Sequence, residues 1–224
     1  MKKHWCIAQV NTTFIWHMEE VLDIYERPYN PLRPVICFDE RPCQLISDVV
    51  APIPMKQGRV QRQDYHYKRN GVCCILTAIE PLAGTRFIEV TKQRTKKDYA
   101  LFMQQLERKY PDAKMIILVQ DNLNTHNPSS FYETFSAETA FRLSQRFHML
   151  YTPKRASWLN MAEIELSALS KQCLDRRIGD MMTLSKEVQA WADDRNQRKA
   201  TVNWQFTKND ARTKLDRYYK GIKN

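Results

Sequence analysis

Two short apolar runs in this chain end on carboxylates. The segment PVICFDERPCQ, residues 34 to 44, passes through Val35, Ile36, Cys37 and Phe38 and then reaches Asp39 and Glu40. The segment KMIILVQDNLNTH, residues 114 to 126, runs from Met115 through Val119 and then reaches Gln120, Asp121 and Asn122. Continuous apolar runs of this length, rich in β-branched residues, are the pattern of strands covered on both faces. Both strands are expected to finish at their aspartates. A turn accounts for Asp39 alone, because Arg41 and Pro42 follow it. If the two strands lie side by side and parallel, Asp39 and Asp121 meet at one sheet edge.

The remaining pattern supplies the neighbours. A helix is expected from Thr13 to Tyr25, followed by YERPYNPLRP, whose prolines mark a connector. An irregular basic region reaches about Asn70. VCCILTAIEP and TRFIEVT, joined through Leu82, Ala83 and Gly84, then give a hairpin signal. Residues 95 to 109 place Tyr99, Phe102, Met103 and Leu106 at helical spacing, with Thr95 as N-cap. Helical turns near 129 to 145 and a short strand at HMLYTP come next. A long helix is expected from Ser157, because Ala162, Leu166, Leu169 and Cys173 share one stripe. Two further helices are expected at Leu184–Arg198 and Lys208–Tyr219, the second opened by Thr207 with Asp210 three residues on. This order predicts a mixed α/β sheet with parallel middle strands, a class that gathers ligand sites at strand carboxyl ends.

Composition narrows the partner. The 224 residues are 43% hydrophobic, enough for a substantial core, and carry a formal charge of +10. Basic clusters at 59–69 (RVQRQDYHYKR) and 92–97 (KQRTKK) favour nucleic acid over a neutral surface role, with an anionic membrane left open. No apolar run approaches the roughly 20 residues of a membrane span, and the N-terminus lacks the apolar segment of a signal peptide, so a cytoplasmic location is expected. The six cysteines form neither a CxxC pair nor a zinc spacing, which points to buried, reduced thiols. Neither GxGxxG nor GxxxxGKS occurs, so nucleotide-binding loops are not indicated.

Clustered carboxylates repel, and a divalent cation is the usual remedy. Oxygen ligands suit Mg²⁺ or Mn²⁺, and two ions about 3.5 to 4 Å apart stabilise the attacking and leaving oxygens of a displaced phosphodiester. Such a site wants a third acid, and YTPKRASWLNMAEIELS offers Glu163 and Glu165. They lie about 200° apart around a helix, so both cannot face one metal. Periodicity slightly favours Glu165, while both also fit as first-turn acids favoured by the helix dipole. Glu40 should point to the opposite side of its strand from Asp39 and is left out of the ligand set. His126 could meet a phosphate or simply occupy a polar loop, and Lys154 and Arg155 could position backbone phosphates.

The combination of CFDE, VQDNLNTH and YTPKRASWLNMAEIE resembles the catalytic domain of bacterial insertion-sequence transposases, in the mariner-related branch of the DDE superfamily. The resemblance spans nearly the whole chain and is most specific in the TP-x-x-x-SWLN-x-x-E segment. It implies a ribonuclease H-like fold, shared with retroviral integrases, over residues 34–200, between an N-terminal helix and connector (1–33) and a C-terminal helical tail (201–224). The family's glutamate falls three residues after Asn160, which selects Glu163 and completes a set of Asp39, Asp121 and Glu163. The resemblance further implies two Mg²⁺ or Mn²⁺ ions, strand cleavage and strand transfer on DNA, and a homodimer on that DNA. The residues before the first strand are too few for a helix-turn-helix module, so a separate polypeptide is expected to supply recognition. The alternative is a non-catalytic DNA-binding regulator, or a remnant lacking the helix-turn-helix module.

Overall fold

The computed structural model describes residues 10–222, with Cys6 outside that range. Strands β1 (Val35–Asp48), β2 (Tyr67–Glu80), β3 (Thr85–Thr91), β4 (Ile116–Gln120) and β5 (Phe147–Tyr151) form one sheet in the order β3-β2-β1-β4-β5. β1, β2 and β3 pair antiparallel, whereas β1, β4 and β5 pair parallel. The helices are α1 (Thr12–Tyr25), α2 (Lys96–Arg108), α3 (Ser129–Tyr132), α4 (Ala137–Arg146), α5 (Ala162–Gln172), α6 (Met181–Gln197), α7 (Lys208–Lys214) and α8 (Asp216–Ile222).

Strand alternation sorts the central side chains onto two covered faces. Cys37, Ile117 and Val119 face a core built with α1, α7 and the start of α5, which includes Met18, Leu22, Leu159 and Ala211. Ile36, Phe38, Ile116 and Leu118 face the other way, toward Tyr99, Phe102 and Met103 of α2 and Leu143 of α4. Cover on both sides is why β1 and β4 read as unbroken apolar runs. Farther along the first face, Ile75 and Ile88 meet Leu166 and Leu169 of α5 and Val188 of α6. Thr95 and Asp98 form a reciprocal capping box on α2, and Thr207 and Asp210 do the same on α7. α7 and α8 are tied to α1 by Arg212 to Glu19 at 2.8 Å and by the Tyr219 hydroxyl to the same carboxylate at 2.7 Å.

Four boundaries depart from expectation. β1 does not finish at Asp39 but runs to Asp48, paired with β2 throughout and irregular between Leu45 and Ile46. Beyond Cys37 it has no register with β4, and such an edge tolerates the missing donor of Pro42. The long helix begins at Ala162 rather than Ser157; a 3₁₀ turn at Ser157–Leu159 and an extended Asn160 intervene. The last helix divides at Leu215, whose φ of −108° and ψ of 17° interrupt α7. The basic region is irregular from 49 to 66, with isolated bridges Ile53–Arg62 and Lys56–Arg59, but Tyr67 to Asn70 already belong to β2. The five described cysteines are free thiols, and burial pushes that of Cys37 up to about 12. Among the described residues no helix is long and apolar enough to cross a membrane.

Candidate active site

The parallel pairing of β1 with β4 ends at Cys37 opposite Val119. Asp39 follows Cys37 by two residues within β1, and Asp121 follows Val119 by two, one residue past the end of β4. Here the backbones part, β1 continuing beside β2 while the chain after Gln120 turns away. The two aspartates therefore sit at a divergence between parallel strands, where α/β sheets collect ligands.

Asp39 is held and crowded. Its Oδ1 accepts the Glu40 amide at 2.8 Å, and Asn160 Nδ2 lies 3.4 Å from its Oδ2. Burial pushes the carboxyl up to about 7 against the pull of the Glu40 amide, and the negative charges of Glu163, Asp121 and Glu40 push it further the same way. All three acids are thus electrostatic neighbours of Asp39. Asn160, only 1% exposed, also donates from Nδ2 to the Phe38 carbonyl at 2.8 Å and accepts the Ala162 amide at 3.1 Å. One side chain thereby fixes the start of α5, and with it Glu163, against β1.

Asp121 is half-exposed, and its Oδ1 lies 2.5 Å from His126 Nδ1. Burial acts to raise its pKa, but the His126 contact and the Leu123 amide outweigh this and leave it below the usual aspartate value. His126 is 2% exposed, and its Nε2 faces Glu40 Oε2 at 2.8 Å, a contact without hydrogen-bond alignment. Burial depresses the imidazole, yet the two carboxylates overcome it and raise the ring to about 9. Glu40 does point away from Asp39, as its strand position requires, but it lies in the same network.

The two glutamates of α5 have different surroundings. Glu163 is exposed in the first turn. Glu165 is fully buried, paired with Arg86 at 2.9 Å through both oxygens and with Arg195 at 2.8 and 3.1 Å. These guanidiniums hold its carboxyl below the usual range against the opposing effect of burial. Its place on the apolar stripe therefore reflects a structural ion pair, and the distant partners Arg86 and Arg195 could not be read from helix periodicity.

Lys154 and Arg155 are exposed and make no ion pair among the described residues. Arg155 adopts a left-handed φ of 63°. With Asn11, His17, Asn122 and Thr152 they line a cleft of about 420 Å³ that adjoins Asp121 through Asn122.

Among the described residues no three His, Cys, Asp or Glu side chains converge into a ready-made metal cage. The donor chemistry nevertheless fits a hard divalent cation, because the acids near Asp39 are oxygen donors and the raised Asp39 carboxyl is the kind a cation would return to its ionised form.

Comparison with known structures agrees with the fold. The chain resembles the Mos1 mariner paired-end complex with Mn, at 16% identity and a TM-score of 0.58, over 89% of this chain and 62% of that one. It also resembles the Mos1 strand transfer complex (14%, TM-score 0.58, 89% and 61%) and the isolated catalytic domain of Mos1 mariner transposase (14%, TM-score 0.56, 88% and 91%). The chain thus spans about three-fifths of the Mos1 chain in those complexes and nearly all of its catalytic domain. The mixed sheet flanked by helices is the ribonuclease H-like fold of that domain. A comparison with curated proteins finds no match. Residues 34–185 match the family described as DDE superfamily endonuclease, and the chain belongs to that superfamily.

Proposed function

We propose that this chain is a DDE transposase catalytic domain that cuts DNA strands and joins them to new sites during movement of an insertion sequence. The observation that supports it most is the parallel pairing of β1 with β4, which ends two residues before both Asp39 and Asp121, together with the charges of Glu163 and Asp121 acting on Asp39. Asp39, Asp121 and Glu163 are the proposed metal ligands, with Mg²⁺ or Mn²⁺ as the ions and two bound in the active state. Such ions stabilise the attacking and leaving oxygens of a phosphodiester undergoing in-line displacement.

The protein's own groups do the rest. Lys154 and Arg155 hold strand phosphates by charge, which sets the register of the backbone without reading its sequence. Asn160 keeps Glu163 and Asp39 in fixed relation while the strand enters. Attack by water frees a 3′-hydroxyl, and that hydroxyl then attacks a target phosphodiester in the same site. The proposed partners are element ends, target DNA, a second copy of the chain on that DNA and a separate helix-turn-helix polypeptide. The proposed location is the bacterial cytoplasm, at the nucleoid when bound.

Nicking of supercoiled DNA in Mn²⁺ tests the assignment. Asp39→Asn, Asp121→Asn and Glu163→Gln should each fall to the level seen with chelator while DNA binding persists. Cleavage by all three at the wild-type rate refutes the acidic site, and DNA binding without cleavage by wild type favours a regulator.

A further inference from the structure

Asp121 is gripped from behind by a chain of buried charge. His126 Nδ1 lies 2.5 Å from Asp121 Oδ1, and His126 Nε2 lies 2.8 Å from Glu40 Oε2. Glu40 in turn lies 3.4 Å from Arg94, and its backbone amide donates to Asp39 Oδ1 at 2.8 Å. The two aspartates are therefore connected through Glu40 and His126 as well as through the sheet.

The ring has little freedom. It stacks on Tyr99 with centroids 5.1 Å apart and meets Phe38 edge-on at 5.1 Å. Its carbonyl accepts Gln120 Nε2 at 2.9 Å, and Gln120 Oε1 accepts the Tyr99 hydroxyl at 2.9 Å. Withdrawing the Glu40 carboxylate from water, with a side chain only 5% exposed, carries a desolvation cost that a turn-closing histidine would not require.

We infer that His126 and Glu40 are positioning residues that hold Asp121 by Oδ1, leave Oδ2 as the oxygen offered to a divalent cation, and tie its orientation to that of Asp39. This rests on the metal-site reading above. Hydrogen-bond partners behind a ligand orient it, and losing one commonly weakens metal binding about 10- to 100-fold. Phosphate contact by His126 is disfavoured, because both ring nitrogens already face carboxylates.

Mn²⁺ titration of the full chain, followed by the EPR signal of the free ion, provides the test. His126→Ala and the nearly isosteric Glu40→Gln should each weaken Mn²⁺ binding about 10- to 100-fold. The double variant should be no weaker than His126→Ala alone, since the two act as one unit. His126→Gln, which keeps one donor, should recover part of the loss. Should His126→Ala fail to fold, Glu40→Gln carries the test alone. Wild-type affinity in Glu40→Gln overturns the inference, as do additive losses in the double variant, which would make Glu40 a ligand itself. Asp121→Asn separates the two readings. If it abolishes binding while Glu40→Gln does not weaken it, only the positioning role fails; if Asp121→Asn binds like wild type, the metal site fails and the positioning role with it.

Discussion

Asn160 and Asp39 are joined across more than a hundred residues of sequence: the asparagine amide lies 3.4 Å from Asp39 Oδ2 and donates to the carbonyl before it at 2.8 Å. Its other end accepts the Ala162 amide, where α5 begins. Asn160→Ala would leave the buried Phe38 carbonyl and Ala162 amide without these partners. Each buried group left unpaired costs about 1–3 kcal/mol. The expected result is a lower melting temperature together with a loss of Mn²⁺-dependent nicking larger than the loss of stability explains. Asn160→Ala with full nicking activity would show that α5 needs no such tether.

Glu163 and Glu165 should separate by phenotype. Glu163→Gln is expected to retain its melting temperature and lose cleavage, since the side chain is exposed. Glu165→Gln removes the charge that two guanidiniums share, and breaking a buried pair in this way costs about 3–5 kcal/mol. Urea denaturation of both variants checks this. A Glu165→Gln protein as stable as wild type would mean that Arg86 and Arg195 find other partners.

Acid should expose the same ion pair. Because the folded protein holds the Glu165 carboxyl below its usual 4.5, its contribution is present above that pH and is lost as pH falls through the lowered value. The wild type should therefore lose stability below about pH 4.5 more steeply than Glu165→Gln. Parallel denaturation curves between pH 3 and 6 would contradict this.

Lys154 and Arg155 should act on DNA of any sequence. Replacing either with Ala is expected to weaken binding uniformly and to reduce the slope of log affinity against log salt by about 1. Fluorescence anisotropy with two unrelated duplexes at several salt concentrations measures both. A change confined to one duplex would point to base contacts instead.

Much of this architecture is legible along the chain because apolar runs and caps are local signals. The hairpin of β2 and β3, the N-cap at Thr95 and the order of elements along the chain all follow from near neighbours. The end of β1 is not legible in that way: Arg41 and Pro42 look like a turn, and only pairing with β2 carries the strand past them. Likewise, the helix stripe runs back toward Ser157, but Asn160 forms its hydrogen bonds with β1 and delays the helix to Ala162. At the site, Asp39 and Asp121 can be found from the ends of two apolar runs. The pairing of Glu40 with His126 cannot, because it joins a strand and a turn that are remote in sequence. The adjacent DE pair and the histidine five residues after Asp121 are the only traces it leaves.

The most direct measurement is the Mn²⁺ dependence of melting temperature for wild type, Asp39→Asn and Asp121→Asn. Binding to the native state raises the melting temperature by mass action. The wild type should rise steadily with Mn²⁺ while the variants scarcely respond, and without metal Asp39→Asn should be no less stable, because it relieves a crowded carboxylate. Equal Mn²⁺ responses in all three proteins would contradict a metal site built on Asp39 and Asp121.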